Sequence, residues 1–157
     1  MVRTLRRWRR LARHAATALR AGLVGRGATR GEDASLGRAG EDVAAAFLRE
    51  KGYSILARNA RAPMGEVDIL CRDGAKRVVI VEVKTRARRD DAPAQSMGVA
   101  PEASITMHKR RKLLALARYL RSANKWPNPV RIDVIAVEWR EGSREPTIRH
   151  HVDAVRG

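Results

Sequence analysis

Two short strings carry residue types that can do chemistry together. Glu66-Val67-Asp68-Ile69 and Val81-Glu82-Val83-Lys84 each alternate polar with apolar residues. On extended backbone, successive side chains point to opposite faces. Glu66 and Asp68 therefore share one face, with Val67 and Ile69 on the other, and Glu82 and Lys84 turn away from Val81 and Val83. Asp73-Gly74 between the strings is a turn signal and predicts a hairpin. Direct opposition of Asp68 and Glu82 needs paired residue numbers that sum to 150, hence an odd-length loop such as Gly74 to Lys76, or a bulge. The sequence permits this register without fixing it.

Two carboxylates brought together repel each other, and a cation between them relieves the repulsion. A hard divalent ion such as Mg2+ takes one or two protein carboxylates, keeps several waters and accepts phosphate oxygens. Such an ion lowers the pKa of a bound water and polarises a phosphodiester. A neighbouring ammonium orients that water or offsets charge developing on the phosphate. Asp68, Glu82 and Lys84 thus form a minimal set for phosphodiester hydrolysis assisted by Mg2+ or Mn2+. Glu41 flanks the apolar stripe of a predicted helix and would add a third carboxylate. The competing reading is a solvated hairpin with surface ion pairs of little energetic weight. The apolar run Val78 to Val81 argues for a central strand instead.

The elements that must position these residues follow from periodicity. Leu36, Gly40, Val43, Ala44, Phe47 and Leu48 recur at helical spacing and predict a helix from Leu36 to Lys51, with Ser35 as N-cap and Gly52 as its stop. Strands are predicted over Tyr53–Asn59, Glu66–Arg72 and Arg77–Arg86. Residues 87–104, with Pro93, Gly98 and Pro101, read as loop. Leu113, Leu116, Ala117 and Leu120 give one apolar stripe to a helix over Lys109–Ala123, which Trp126-Pro127-Asn128-Pro129 closes. Val130–Trp139 forms a fourth strand and Thr147–Val155 a fifth. The fold class is α/β: a mixed sheet flanked by helices around one core.

Composition narrows the partners. The chain has 157 residues, 33 of them Lys or Arg against 17 Asp or Glu, for a net charge of +16. The apolar share of 44% is too high for a fully disordered chain, and no apolar stretch is long enough for a membrane-spanning helix. The single cysteine, Cys71, excludes an intrachain disulfide framework and suits a reducing, cytoplasmic setting. The charge calls for a polyanion. Residues 1–31 hold nine arginines, among them Arg6, Arg7, Arg9 and Arg10, and no acid. They divide the chain into a basic arm and linker over 1–34 and a domain over 35–157. The arm reads as a basic helix from Arg3 to Leu23 followed by a glycine-rich linker to Gly31. An organellar targeting segment, a surface for anionic lipid, a phosphate-neutralising arm and a merely solvated tail all fit this composition.

Other residues carry weaker signals. Lys109-Arg110-Arg111-Lys112 opens the second helix at the end that disfavours cations, which points to a phosphate partner. His150 and His151 would face opposite sides of a strand, a poor chelate, and read as surface histidines, as do His14 and His108. Cys71 reads as a small packed hydrophobe. Trp126 would stack on a base or cap the core. Arg131 and Asp133 share a strand face and form an expected ion pair.

The combined string carries a resemblance. Gly37-Arg38-Ala39-Gly40-Glu41, Ala44, Phe47-Leu48 and Gly52-Tyr53, then Asn59, Gly65-Glu66-Val67-Asp68 and Val81-Glu82-Val83-Lys84-Thr85-Arg86, resemble the bacterial YraN-like family. Lys109, Tyr119-Leu120 and Arg131-Ile132-Asp133 look like its later landmarks, so the likeness covers about residues 36–155. That family is similar to Holliday-junction resolvases within the restriction-endonuclease-like superfamily and its PD-(D/E)xK signature. The resemblance implies Asp68 as the signature aspartate, Glu82 as its second acid, Lys84 as its lysine and Glu41 as the helix glutamate of the resolvase-like branch. Val67 stands where the signature has proline, residues 87–104 are longer than the family's segment, and the arm is an addition. The expected function is a Mg2+- or Mn2+-dependent nuclease acting on DNA or structured nucleic acid, branched DNA included, with Lys109 to Lys112, Arg86 and the arm on phosphates. A homodimer would suit symmetric junctions. The alternatives are a non-catalytic nucleic-acid-binding module that retains the fold, and an envelope-associated factor that uses the arm on lipid.

Overall fold

The structure, a computed structural model, describes residues 30–88, 105–140, 143 and 145–157. The described chain runs α1 (Arg30–Glu50), β1 (Ser54–Ala62), β2 (Gly65–Arg72), β3 (Val78–Arg88), α2 (Met107–Ala123), β4 (Arg131–Arg140) and β5 (Thr147–His151). The strands form a mixed sheet in the order β1-β2-β3-β4-β5. Only the β3–β4 pair is parallel, and α2 lies within the connection that a parallel pair requires. Among the described residues, no helix is long and apolar enough to cross a membrane.

Each helix covers one face of the sheet. Val43, Ala44 and Leu48 of α1 pack on Ile69, Cys71, Val79, Val81, Ile135, Val137 and Trp139. Leu113, Leu116 and Ala117 of α2 pack with Val67, Ile80 and Ile132 on the other face. Odd-numbered valines of β3 thus meet α1 while Ile80 meets α2, as the period of two requires. The central β4 is buried on both faces, from Ile132 through Trp139.

Local signals set the ends of the elements. α1 closes in a Schellman arrangement. The Tyr53 N–H bonds the Leu48 carbonyl, the Gly52 N–H bonds that of Arg49, and Gly52 takes φ +83°. Thr106 caps α2, its side-chain oxygen accepting from the Lys109 N–H at 3.2 Å. Several boundaries differ from expectation, among them the end of β1, which runs past Asn59 to Ala62. α1 begins at Arg30, so Ser35 lies inside the helix rather than capping it. β3 runs on to Arg88, two residues into the segment read as loop, because β4 pairs with it as far as Arg140. The fifth strand stops at His151. The basic-arm helix, with Arg6, Arg7, Arg9 and Arg10, lies outside the described residues, as does nearly all of the 87–104 loop.

Candidate active site

The β2–β3 register puts the two acids level. Ile69 pairs with Val81, Leu70 with Ile80, Cys71 with Val79 and Arg72 with Val78. Each pair sums to 150, the register that the sequence permitted. Asp73 makes it possible. The Asp73 N–H bonds the Arg77 carbonyl, and its side chain accepts from the N–H groups of Ala75 and Arg77. Residues 74–76 therefore close an odd, three-residue loop, and Lys76 takes φ +62° within it.

The ladder stops one step short of the acids. Where Asp68 and Glu82 would pair, Asp68 Oδ2 instead accepts the Val83 N–H at 2.8 Å. The strands part here, and a carboxylate takes the place of a ladder bond. The expected alternation fails at the same point. Val67 and Ile69 do not share a face: Val67 packs with the α2 cluster and Ile69 with the α1 cluster. An unusual backbone conformation lies beside Asp68 on β1. Asn59, between the pairs Arg58–Ile69 and Ala60–Val67, adopts φ +50°, a left-handed turn of the backbone within a strand.

Glu82 is buried, 3% exposed, and both its oxygens meet ammonium groups. Lys84 Nζ donates to Oε1 at 2.9 Å, and Lys109 Nζ stands 3.0 Å from Oε2. Asp68 is pushed up to about 6, chiefly by burial and then by the charge of Glu82, with a smaller push from Glu41. The Val83 N–H and the Lys109 charge oppose the rise without cancelling it. Asp68, Glu82, Glu41 and Lys109 are thus electrostatically one site, with Lys84 bonded to it.

Glu41 reaches the site from α1 because Gly40 lets the helix sit close. A Cβ on Gly40 would lie 1.9 Å from Thr85 Oγ1 of β3. Glu41 Oε2 is buried with no hydrogen-bond partner, 3.8 Å from Arg58 Nη2, which pairs more closely with Asp42 at 2.7 Å. An orphaned carboxylate oxygen beside a second acid with a raised pKa fits a divalent cation. Among the described residues, no three His, Cys, Asp or Glu side chains stand together as a ready cage. Asp68, Glu82 and Glu41 are the carboxylates that an ion such as Mg2+ or Mn2+, which takes one or two of them and keeps several waters, would use here.

The basic residues expected on phosphate do not act as one cluster. Lys109 turns inward to Glu82, and that carboxylate is the anion its unfavourable helix position called for. Arg110 donates to the Arg156 carbonyl. The stem of Lys112 crosses Gly65, where a Cβ would meet its Cε at 2.4 Å and φ is +140°. Arg111 and Arg86 are exposed. Sequence reading missed the inward role of Lys109; the available signal was a lysine in a capped first turn that lacks any acid.

A second polar network lies across the sheet. The Arg131 guanidinium donates twice to Asp133, at 2.8 Å each, and also to Asp73 at 2.8 Å and to the Tyr53 hydroxyl at 3.0 Å. The expected Arg131–Asp133 pair is present, and it is buried rather than superficial. His150 Nε2 lies 2.9 Å from Asp133 Oδ2, and the Asp153 N–H donates to Oδ1. His150 is therefore not a surface histidine: β5 turns it onto a fully buried carboxylate. Burial pushes Asp133 up, but bonds from His150, Arg131 and the Asp153 N–H outweigh it and hold the carboxyl below its usual range. Cys71 packs in the core as expected, its thiol pushed up to about 12 by burial, too inert for a nucleophile.

Comparisons with known proteins place the chain in a family. A model of the Uncharacterised protein family UPF0102 matches residues 40–137. The chain belongs to this family, the YraN family that its motif string resembles. It is 39% identical over 126 residues to a UPF0102 protein of Geotalea uraniireducens, covering 80% of this chain and 92% of the relative. It is 44% identical over 102 residues to one of Thermodesulfovibrio yellowstonii, covering 65% and 84%. Among solved structures it is similar to EndoMS in complex with double-stranded DNA (21% identity, 57% of this chain, 32% of that one, TM-score 0.36). It is also similar to a repair endonuclease of Pyrococcus abyssi (17% identity, 63% and 38%, TM-score 0.38). The chain spans about a third of those longer proteins.

Proposed function

We propose that this protein is a cytoplasmic, divalent-metal-dependent nuclease of the restriction-endonuclease-like superfamily, hydrolysing phosphodiester bonds in DNA or structured nucleic acid. The observation that carries the reading is the meeting of Asp68 and Glu82 where β2 and β3 part, in a chain of net charge +16. Buried carboxylates serve no purpose in holding a polyanion by themselves, whereas a cation between them and phosphate makes both tolerable.

Asp68, Glu82 and Glu41 would hold Mg2+ or Mn2+, which when bound supplies an activated water and a polarised phosphodiester. The Val83 N–H fixes the orientation of Asp68, so one oxygen is committed and the other is free to point into the site. Lys84, tethered to Glu82, orients the attacking water and offsets charge on the phosphate. Branched DNA, cut by a homodimer with matched sites, suits this chemistry. One observation favours the non-catalytic module instead: two lysines already neutralise Glu82 without any cation.

A cleavage panel decides between them. Single-stranded, duplex and four-way-junction DNA, and RNA, are incubated with Mg2+ or Mn2+. The nuclease cuts at least one substrate only with metal, and Asp68→Ala and Lys84→Ala each lose about 10²-fold or more of the rate. Binding without cutting across the panel leaves the module.

A further inference from the structure

Glu82 is held by more positive charge than a single signature lysine provides. Lys84 reaches it along its own strand, two residues away. Lys109 comes from a different element, the first turn of α2, and grips the oxygen that Lys84 leaves. Its backbone is anchored by the Thr106 cap, while its side chain is about one-third exposed. The anchor stays fixed and the four-carbon stem can rotate.

The location is costly for a cation. The N-terminal turn of a helix is its positive end, and α2 has no acid there to compensate. A lysine so placed needs an anion from outside the helix. With the site free of metal, that anion is Glu82. Once Glu82 gives its oxygens to a divalent cation, Lys109 loses its partner beside helix N–H groups that themselves attract phosphate.

We propose that Lys109 is a second lysine of the reaction site, one that closes on Glu82 in the metal-free protein and turns to a nucleic-acid phosphate oxygen once Glu82 holds the cation. This rests on the nuclease reading above. Lys109 and the cation compete for one carboxylate in the free protein, and Lys109 assists the cation when substrate is present. The two effects have opposite signs, which a purely structural tie between α2 and β3 would not give.

The test uses the full chain and two readouts. Mn2+ binding to the free protein is measured by titration calorimetry, and cutting is measured on the best substrate of the panel. Lys109→Met should bind Mn2+ about tenfold tighter, because the competing ammonium is gone. Its kcat/KM should fall about 10²-fold. Lys109→Arg keeps the charge and should bind Mn2+ like wild type. Should Lys109→Met unfold, Lys109→Gln gives the same two readouts with a neutral group that still hydrogen-bonds Glu82. Weaker or unchanged Mn2+ binding in the neutral variants of an active nuclease overturns the Lys109 proposal alone. Wild-type protein that binds Mn2+ yet cuts nothing overturns the nuclease reading, and the phosphate contact with it.

Discussion

At Asp68, burial and like charge win over a hydrogen bond. The residue keeps its proton to about pH 6 when folded, against an ordinary value of 3.8, because desolvation and Glu82 outweigh the Val83 N–H and Lys109. The sign of the pH effect follows. Below 3.8 the carboxyl is neutral in both folded and unfolded chains, and no cost arises. Between about 4 and 6 the unfolded chain releases the proton while the folded chain retains it, so metal-free stability falls as pH rises, and the full penalty holds above 6. Asp68→Asn stays neutral throughout and its amide oxygen still accepts the Val83 N–H. It should be more stable than metal-free wild type by on the order of 2 kcal/mol at pH 7.5, with the advantage nearly gone at pH 4. Urea midpoints at the two pH values measure it, and saturating Mn2+ should reverse the pH 7.5 difference. A pH-independent difference would rule out the charge of Asp68 as its source. The residue types were legible from alternation alone, and so was the condition on register. That the ladder would break at Asp68, parting Val67 from Ile69 beside the left-handed Asn59 of the neighbouring strand, was not, since pairing between strands is not written in one strand's alternation.

Elements reach the site through close approaches that one chain's periodicity does not reveal. α1 was readable from its apolar stripe, but its depth on the sheet is set by Gly40 against Thr85. The glycine is used here for its missing side chain. Gly40→Ala gains about 1 kcal/mol of helix propensity and loses more to the overlap with Thr85, so a net loss of about 1–2 kcal/mol is expected. Thr85→Gly removes the colliding Cβ, and the double variant should recover most of the Gly40→Ala loss. A double-mutant cycle in urea measures the coupling, and strict additivity would reject the contact. The same displacement should loosen Mn2+ binding, because Glu41 follows Gly40 directly. His150 shows the opposite limit of sequence reading. Adjacent histidines near a C-terminus look superficial, and only the antiparallel pairing of β5 with β4 brings His150 onto Asp133.

Over the whole molecule, charge separates into two jobs. Nine arginines and no acid occupy residues 1–31, while every acid lies beyond, with Asp68, Glu82 and Glu41 gathered at one site. A uniformly basic protein would hold DNA and bring no acid to it; here a positive field surrounds a small negative pocket. Under the proposed function, holding and reacting belong to different residues and should separate by mutation. Changing Arg6, Arg7, Arg9 and Arg10 together to Gln removes up to four phosphate contacts, so the slope of log K against log salt for duplex binding should become shallower by about 3 to 4. Affinity near physiological salt should weaken at least about tenfold. Mn2+ binding should not change, because Asp68, Glu82, Glu41 and Lys109 sit on β2, β3, α1 and α2. Fluorescence anisotropy across a salt series, paired with calorimetry of the same protein, measures both. An unchanged slope would remove the arm from nucleic-acid binding. A changed slope with weakened Mn2+ binding would join the arm to the site and defeat the division of labour that the charge pattern implies.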